Sequence, residues 1–346
     1  MQTGSLYTDK KIEQIKAEVE RAIAQEENKP FVVSIMGQTG VGKSSLLNAL
    51  FGTRLATSSV RPCTKEIERV TTKNQLGHEL WFYDLPGIGE SDEADAQYLQ
   101  QYRQKLLNSD VVLWAIHADN RSITFDTRAL NQILSSFSKS EQVELISKIT
   151  FVLTKVDLLT SPPWILSVDL PTSPPWVLPK MDRYGVFVPH PLTRQILQEK
   201  ASYYQEVFLK PYGELVVSQT YNDSYFDVNE PPFSYDRDTV RYHGFLTLQS
   251  LEGLKKRFPQ HSKIFERLYD NYQVIPCSSL FRYNLNQLML VIVNKLGVNA
   301  IKRFKNFFDS KQMNKVLLSE AKKYSNIMVF DANRNKVIFD LSREKI

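Results

Sequence analysis

The sequence predicts an α/β fold in which helices flank a mostly parallel central sheet. Short apolar runs alternate with amphipathic stretches over residues 29–157, a pattern typical of a parallel sheet covered on both faces. A glycine-rich turn also follows the first apolar run directly. Ligands of such sheets bind beyond the carboxyl ends of the strands, so we expect the functional residues at those ends.

The individual elements follow from the apolar pattern of each stretch. We expect a buried strand at 31–36 and a helix from about Lys43 to Phe51. Two strands come next, EIERVTT and ELWFYD, and the second of them ends at Asp84. The remaining predicted elements are, in order, the helix EADAQYLQQYRQKLLN, the strand DVVLWAIH, the helix TFDTRALNQILSSF and the strand KITFVLTKVD.

Four regions are predicted along the 346 residues. Residues 1–28 form an amphipathic helix, and residues 29–157 and 272–297 together form the main α/β domain. Residues 158–271 are an insertion or subdomain rich in proline and aromatic residues. It contains TSPPW twice, either as a duplication in an exposed loop or as an aromatic-proline binding strip. Residues 298–346 form a basic, mainly helical C-terminal extension.

Composition narrows the class of protein. The chain is 42% hydrophobic and 23% charged, which is typical of a globular protein. Two cysteines, Cys63 and Cys277, cannot build a disulfide framework. No run of 18 apolar residues predicts a membrane span, and the charged N-terminal stretch is unlike a signal peptide. We therefore expect a cytoplasmic protein, with peripheral contact to a membrane left open by its basic end.

A phosphate-binding loop is predicted after the first strand. GQTGVGKS matches the pattern G-x-x-x-x-G-K-[ST] in the required position between a strand and a helix. Its glycines let backbone N–H groups curl around phosphate oxygens, and the helix N-terminus adds a favourable dipole. We expect Lys43 to reach the β- and γ-phosphates. The residues predicted to surround the ligand are Gly37, Gln38, Thr39, Gly40, Val41, Gly42, Lys43, Ser44 and Ser45.

A base-specific motif, TKVD, ends the last strand of this region. Asp157 there can accept two hydrogen bonds from N1–H and the exocyclic amine of guanine. Adenine offers no such pair of donors, so the buried carboxylate would be left unpaired. Thr154 and Lys155 belong to the same motif, and Lys155 is expected to lie along the base and the phosphate loop.

Four residues are expected around the terminal phosphate and its metal ion. Ser44 is a predicted Mg²⁺ ligand, and Asp84 can hold the metal through water. Thr64 could complete the Mg²⁺ and γ-phosphate shell, and the N–H of Gly87 could bond the γ-phosphate. Lys43, Thr64 and Gly87 are therefore the candidate catalytic residues.

Together these motifs resemble a known family. Their order is that of the five G motifs of translation-factor-class (TRAFAC) GTPases. GQTGVGKSSLLNALFG, VRPCTKE, DLPGIGES and DVVLWAIHADNRSITFD are similar to bacterial Era-like GTPases of the YfjP/YeeP type, over residues 28–157 and, less closely, 272–297. The resemblance implies a P-loop GTPase (G domain) fold with GTP or GDP and Mg²⁺ as cofactors. It also implies that the backbone N–H groups of Ser278 and Ser279 contact guanine.

The resemblance implies slow intrinsic hydrolysis. Ras-like enzymes use a glutamine after the D-x-x-G motif to orient water, whereas this chain has Ile88, as Era-like proteins have a hydrophobic residue there. Gly40 replaces the asparagine of potassium-activated relatives, and Thr39 adds bulk where an arginine finger would enter. The water-positioning group is therefore expected from Glu90 or from a second copy of the protein, as a homodimer across the nucleotide.

Three functions remain open from the sequence. The first is a GTP-hydrolysing switch whose output runs through the insertion or the C-terminal extension to an unknown protein effector. The second is a membrane-surface or self-assembling GTP-binding protein, since Ile301, Phe304, Phe307 and Phe308 share one face of NAIKRFKNFF. The third is a ribosome- or RNA-associated GTPase, because Lys295–Ile346 carries twelve Lys and Arg against five Asp and Glu. The alternative is that these basic residues simply form a helix face exposed to solvent.

Overall fold

The structure is a computed structural model of the full chain. It describes residues 29–51, 68–73, 77–85, 102–119, 123–159, 164–167, 186–189, 191–222, 224–280, 283–307, 328–331 and 336–340. Positions 17, 21 and 25 are also described, and all three are helical. The rest of the predicted N-terminal helix, the second TSPPW copy and residues 308–327 lie outside the described residues.

A six-stranded sheet forms the centre of the molecule. Its strands are β1 (Phe31–Met36), β2 (Glu68–Lys73), β3 (Glu79–Asp84), β4 (Val111–His117), β5 (Ile149–Thr154) and a short strand, Ile275–Pro276, labelled β11 below. The order across the sheet is β11-β5-β4-β1-β3-β2. All neighbours are parallel except β2, which pairs with β3 in the antiparallel sense. This confirms the predicted fold class.

Helices lie on both faces of this sheet and in a smaller neighbouring layer. They are α1 (Lys43–Phe51), α2 (Ile123–Ser135), α3 (Lys139–Lys148), α4 (Pro191–Leu209), α5 (Leu248–Arg257), α6 (Ser262–Asp270), α7 (Leu285–Lys295) and α8 (Val298–Phe307). Residues 102–107 are helical too. The strand at 31–36 and the helix from Lys43 to Phe51 confirm the sequence predictions to the residue. The helix α3 was not predicted, although Ser138 and Glu141 form a capping box at its start.

One face of the sheet is filled by aromatic rings. The ring centroids of Trp114 on β4 and Phe151 on β5 lie 5.9 Å apart, and Phe208 of α4 stacks on Phe151 at 4.8 Å. Tyr204, one turn earlier in α4, is also buried. The helix α4 falls in the predicted insertion by sequence, yet its buried side chains pack into the core of the main domain.

The other face is closed by α1, α7 and α8. Phe304 of α8 packs edge-on against Phe31 of β1, with ring centroids 5.4 Å apart, and Ile301 is buried beside it. Arg303 of the same helix donates to Asp110 at 2.5 Å. The side chains of Ile301 and Phe304 therefore face the protein core and are not available to a membrane surface.

Residues 217–270 build a second, smaller layer. The antiparallel sheet β8-β10-β9 contains β8 (Val217–Tyr221), β9 (Phe233–Tyr235) and β10 (Thr239–His243). With α5 and α6 it encloses its own core, which includes Phe226, Val240 and Phe265. The strand β8 also contacts the main domain, since Tyr272 donates its hydroxyl to the Val217 carbonyl at 2.8 Å.

Two short hairpins complete the described structure. One pairs β6 (Trp164–Ser167) with β7 (Val186–Pro189), and the other pairs β12 (Met328–Asp331) with β13 (Lys336–Asp340). Among the helices that the structure describes, none combines the length and the apolar character needed to cross a bilayer.

Candidate nucleotide-binding site

The phosphate loop leaves β1 through a backbone shape that only glycine can adopt easily. Gly37, Gly40 and Gly42 have φ angles of 138°, 81° and 95°, in the region that other L-residues rarely occupy. A Cβ atom on Gly37 would lie 2.1 Å from the carbonyl oxygen of Ala115 on β4. The predicted order of strand, glycine-rich loop and helix is confirmed, and the loop lies at the carboxyl end of the sheet.

Lys43 lies at the mouth of this loop. It begins α1, its side chain is buried, and its ammonium donates to the carbonyls of Gly37 at 3.1 Å and Gln38 at 3.4 Å. An ammonium held by loop carbonyls at a helix N-terminus adds positive charge where the loop N–H groups gather. This geometry suits an anionic ligand.

Ser44 and Asp84 come together beside the loop. The Ser44 hydroxyl donates to Asp84 Oδ2 at 2.9 Å, and Asp84 ends β3 directly opposite Ile35 of β1. A hydroxyl and a carboxylate are oxygen ligands of the kind that Mg²⁺ takes in proteins, so this pair fits the predicted metal. Thr64 and Gly87, the other predicted phosphate contacts, lie outside the described residues, as do Ile88 and Glu90.

The TKVD motif is tied to the phosphate loop by two hydrogen bonds. The Thr154 hydroxyl donates to the Val41 carbonyl at 2.6 Å. Lys155 adopts a left-handed backbone, φ 55°, and its ammonium donates to the Gly40 carbonyl at 2.6 Å. The two predicted halves of the site are thus in direct contact.

Ser278 meets Asp157 through its side chain. Its buried hydroxyl donates to Asp157 Oδ1 at 2.5 Å. The backbone N–H of Ser278 donates to the Tyr283 carbonyl at 3.3 Å, and its expected contact with guanine stays a prediction.

A buried network around Asp126 supports the loop and was missed from the sequence. Gln38 of the loop donates to Asp126 Oδ2 at 2.6 Å, and the Trp114 indole donates to Oδ1 at 3.2 Å. Burial raises the pKa of the Asp126 carboxyl, and the two donors lower it in part. Asp126 stands in the first turn of α2, where an acidic residue is ordinary, so the sequence offered no signal for this contact.

Comparison with known proteins assigns the region that carries these motifs. Residues 32–155 match a family model described as 50S ribosome-binding GTPase. This stretch is therefore similar to the P-loop GTPase domains of that family. Uncharacterized protein YkfA of Escherichia coli K12 is 41% identical over 119 residues, which are 34% of this chain and 41% of YkfA. GTPase Era of Deinococcus deserti is 33% identical over 87 residues, 24% of this chain and 28% of Era.

The matching sequence stretches cover only part of this chain and of each relative. The chain spans about two fifths of YkfA and, at 39% identity, of Escherichia coli YfjP. Among solved structures, Toc33 from Arabidopsis thaliana superposes with a TM-score of 0.38 and 21% identity over 55% of this chain and 66% of Toc33. The structure of Era in complex with MgGDPNP and a 16S ribosomal RNA segment superposes with a TM-score of 0.38 and 17% sequence identity. The match covers 78% of this chain and 57% of Era.

Replacing Asp126 should loosen the phosphate loop of the GTPase domain. Asp126→Ala leaves the Gln38 amide and the Trp114 indole without their acceptor, and a buried unsatisfied group costs about 1–3 kcal/mol. We expect a lower melting temperature and weaker GDP binding, measured by calorimetry. Arg128→Ala, an exposed change on the same helix, is the control. Equal GDP affinity in the two variants would contradict the role of Asp126 in holding the loop.

Proposed function

We propose that the chain is a Mg²⁺-dependent molecular switch that binds GTP and hydrolyses it slowly. The hydrogen bond from Lys155 to the Gly40 carbonyl carries this proposal. It brings the TKVD motif against the phosphate loop, so that one ligand with a base and a phosphate chain can occupy both. Guanine nucleotide is the ligand whose base and phosphates both find partners there.

The phosphate chain would lie on the loop and Lys43. The loop N–H groups, the α1 N-terminus and the Lys43 ammonium all favour anionic oxygens. Ser44 and Asp84 would hold Mg²⁺, Asp84 through water and Thr64 as a further ligand. When bound, the metal neutralises charge on the phosphate oxygens. Gly87 would make its loop sensitive to the terminal phosphate, which gives the switch its two states.

Asp157 would select guanine, and Ser278 would orient the Asp157 carboxylate. The Ser278 hydroxyl donates to one carboxylate oxygen of Asp157, which restricts how the carboxylate can turn. A fixed carboxylate at this place can accept from both guanine donors at once. With adenine its oxygens would lose those partners. The cost would be below the roughly 1–3 kcal/mol of a fully buried group, because Asp157 is only partly buried.

Hydrolysis needs a group that the described residues do not identify. Lys43 would stabilise the charge of the transferring phosphoryl group. Ile88 has no polar side-chain atom to position water, so we expect slow turnover in the isolated chain. Thr39 and Gly40 are exposed on the loop, and a second copy could approach the nucleotide from that side.

A ribosome- or RNA-associated GTPase is the second candidate. On α8 the apolar residues Ile301 and Phe304 are buried, whereas Lys302 and Lys305 are exposed. This arrangement presents charge rather than an apolar face, which favours a polyanion over a membrane surface as the partner of the basic region. The description of the matching family as ribosome-binding supports the same direction.

Base selectivity is the sharpest test of the main proposal. We expect the parent chain to bind GTP in preference to ATP, because only guanine offers Asp157 two donors. Asp157→Asn should lose about 1–3 kcal/mol of GTP binding and gain affinity for xanthosine triphosphate, whose base has an acceptor where guanine has an amine. Titration with the three nucleotides measures this. Equal binding of ATP and GTP by the parent would overturn the assignment of the base.

Turnover should depend on protein concentration if a second copy supplies the water-positioning group. We expect the rate of phosphate release per molecule to rise as the protein is concentrated and to level off when dimers predominate. Sedimentation velocity under the same conditions would show whether dimers form in the same range. A constant rate per molecule across a visible monomer-dimer transition would exclude assistance from the second copy.

If the protein associates with ribosomes through basic residues, its binding should depend on the salt concentration. Binding through Lys302, Lys305 and the basic residues beyond them should weaken steeply between 50 and 200 mM salt, because counterions are released from the polyanion. Co-sedimentation with ribosomes at several salt concentrations measures this, and Lys302→Ala/Lys305→Ala should reduce the low-salt signal. An absence of binding at low salt would remove this candidate and leave the nucleotide switch untouched.

A further inference from the structure

A cavity lies at the end of the sheet opposite the nucleotide site. Its volume is about 530 Å³, and its walls include the starts of β1 and β4, the residue before β5, Gln219 of β8, and the junction of α7 and α8. The phosphate loop and TKVD follow the other ends of β1 and β5. A six-residue strand measures roughly 20 Å, so the two sites are separate.

The cavity walls are strongly basic. Of the residues lining the cavity, four are cationic, Lys29, Lys148, Lys295 and Arg303, and one is acidic, Asp110. Asp110 is already engaged, because one of its oxygens accepts from Arg303 and the other from the Val32 N–H at 2.9 Å. Lys148 pairs with Glu144, which is half exposed and lies outside the lining. The walls therefore hold four basic side chains and one carboxylate.

Lys295 gives this cavity its chemistry. It is the last residue of α7, it is only 4% exposed, and its ammonium donates to the Ile149 carbonyl and lies 4.9 Å from the centre of the Tyr272 ring. No carboxylate within salt-bridge distance of this ammonium is found in the part of the chain that the structure describes. A buried charge without a counter-charge is costly, and an anion in the cavity would relieve that cost.

We propose that the cavity binds a phosphate-bearing small molecule, with Lys295 as its central cation and Lys148 and Lys29 beside it. A phosphate dianion has more oxygen acceptors than a single carboxylate and can therefore accept from several of these basic side chains at once. Gly297, directly before the ten-residue helix α8, and Ala300 in its first turn line the cavity, which adds the positive end of a helix dipole. The volume is in the range of small-molecule sites and leaves room for an organic body next to Trp81 and Leu107.

Thermal denaturation with inorganic phosphate tests the proposal. The full chain is held at constant ionic strength with excess GDP and Mg²⁺, and chloride is exchanged for phosphate. We expect the melting temperature of the parent to rise by about 2 °C or more. Lys295→Met keeps the length of the side chain without its charge and should abolish the shift. Lys256→Met, an exposed lysine on α5, is the matched control and should keep it.

The pH dependence of stability gives an independent reading of the same lysine. Burial lowers the pKa of Lys295 to about 7, against about 10.4 in an unfolded chain. Between these values the unfolded state binds more protons, so the stability of the parent should rise with pH, and Lys295→Met should lack this slope. The charged groups around the cavity, Lys29, Lys148, Arg303 and Asp110, are the same in both proteins.

Bound phosphate would favour the protonated lysine, so the phosphate shift should be larger at pH 7 than at pH 9. No phosphate shift in the parent, or an equal shift in Lys295→Met, would overturn the proposal. If Lys295→Met does not fold, Lys148→Met takes its place, and an undiminished shift there overturns it equally.

Discussion

The nucleotide-binding site depends on how closely the backbone at Gly37, directly after β1, approaches β4. The space for a Cβ atom there is taken by the Ala115 carbonyl, so the chain can turn out of the sheet only at a residue without a side chain. That turn decides where Lys43 begins α1 and where Gly40 meets Lys155. The Thr154 hydroxyl then ties β5 to the loop through the Val41 carbonyl and to β4 through the Ile116 carbonyl. The phosphate and base recognition that we propose would both depend on this one close backbone approach.

The sequence predicts the structure correctly where a strand or motif is defined by residues that are neighbours along the chain. The strand at 31–36 is buried throughout and is apolar at five of its six positions, and the loop motif carries its own glycines. TKVD was placed correctly because it ends a strand. The hydrogen bond between Ser44 and Asp84 brings together two residues that the sequence predicts around one metal ion. Local patterns therefore predicted the central sheet and the positions of the phosphate loop and TKVD at the ends of its strands.

Contacts that depend on distant packing could not be predicted. Nothing in TFDTRAL distinguishes Asp126 from an ordinary first-turn acid, because its partners Gln38 and Trp114 come from other elements. Ser278 pairs with Tyr283 in an isolated β-bridge that engages the Ser278 backbone N–H, and no sequence pattern predicts this bridge. The helix α4 follows a proline-rich stretch, and only the three-dimensional packing of Phe208 on Phe151 shows that it belongs to the main core.

The packing of Phe304 on Phe31 has a consequence for biosynthesis. The first strand of the sheet leaves the ribosome early, but the helix that covers its ring is made only near the end of the described chain. At about 5–20 residues per second, the interval is on the order of tens of seconds. During that time the apolar face of β1 lacks its final cover, so the nascent domain must wait, or be protected by a chaperone, until α8 emerges.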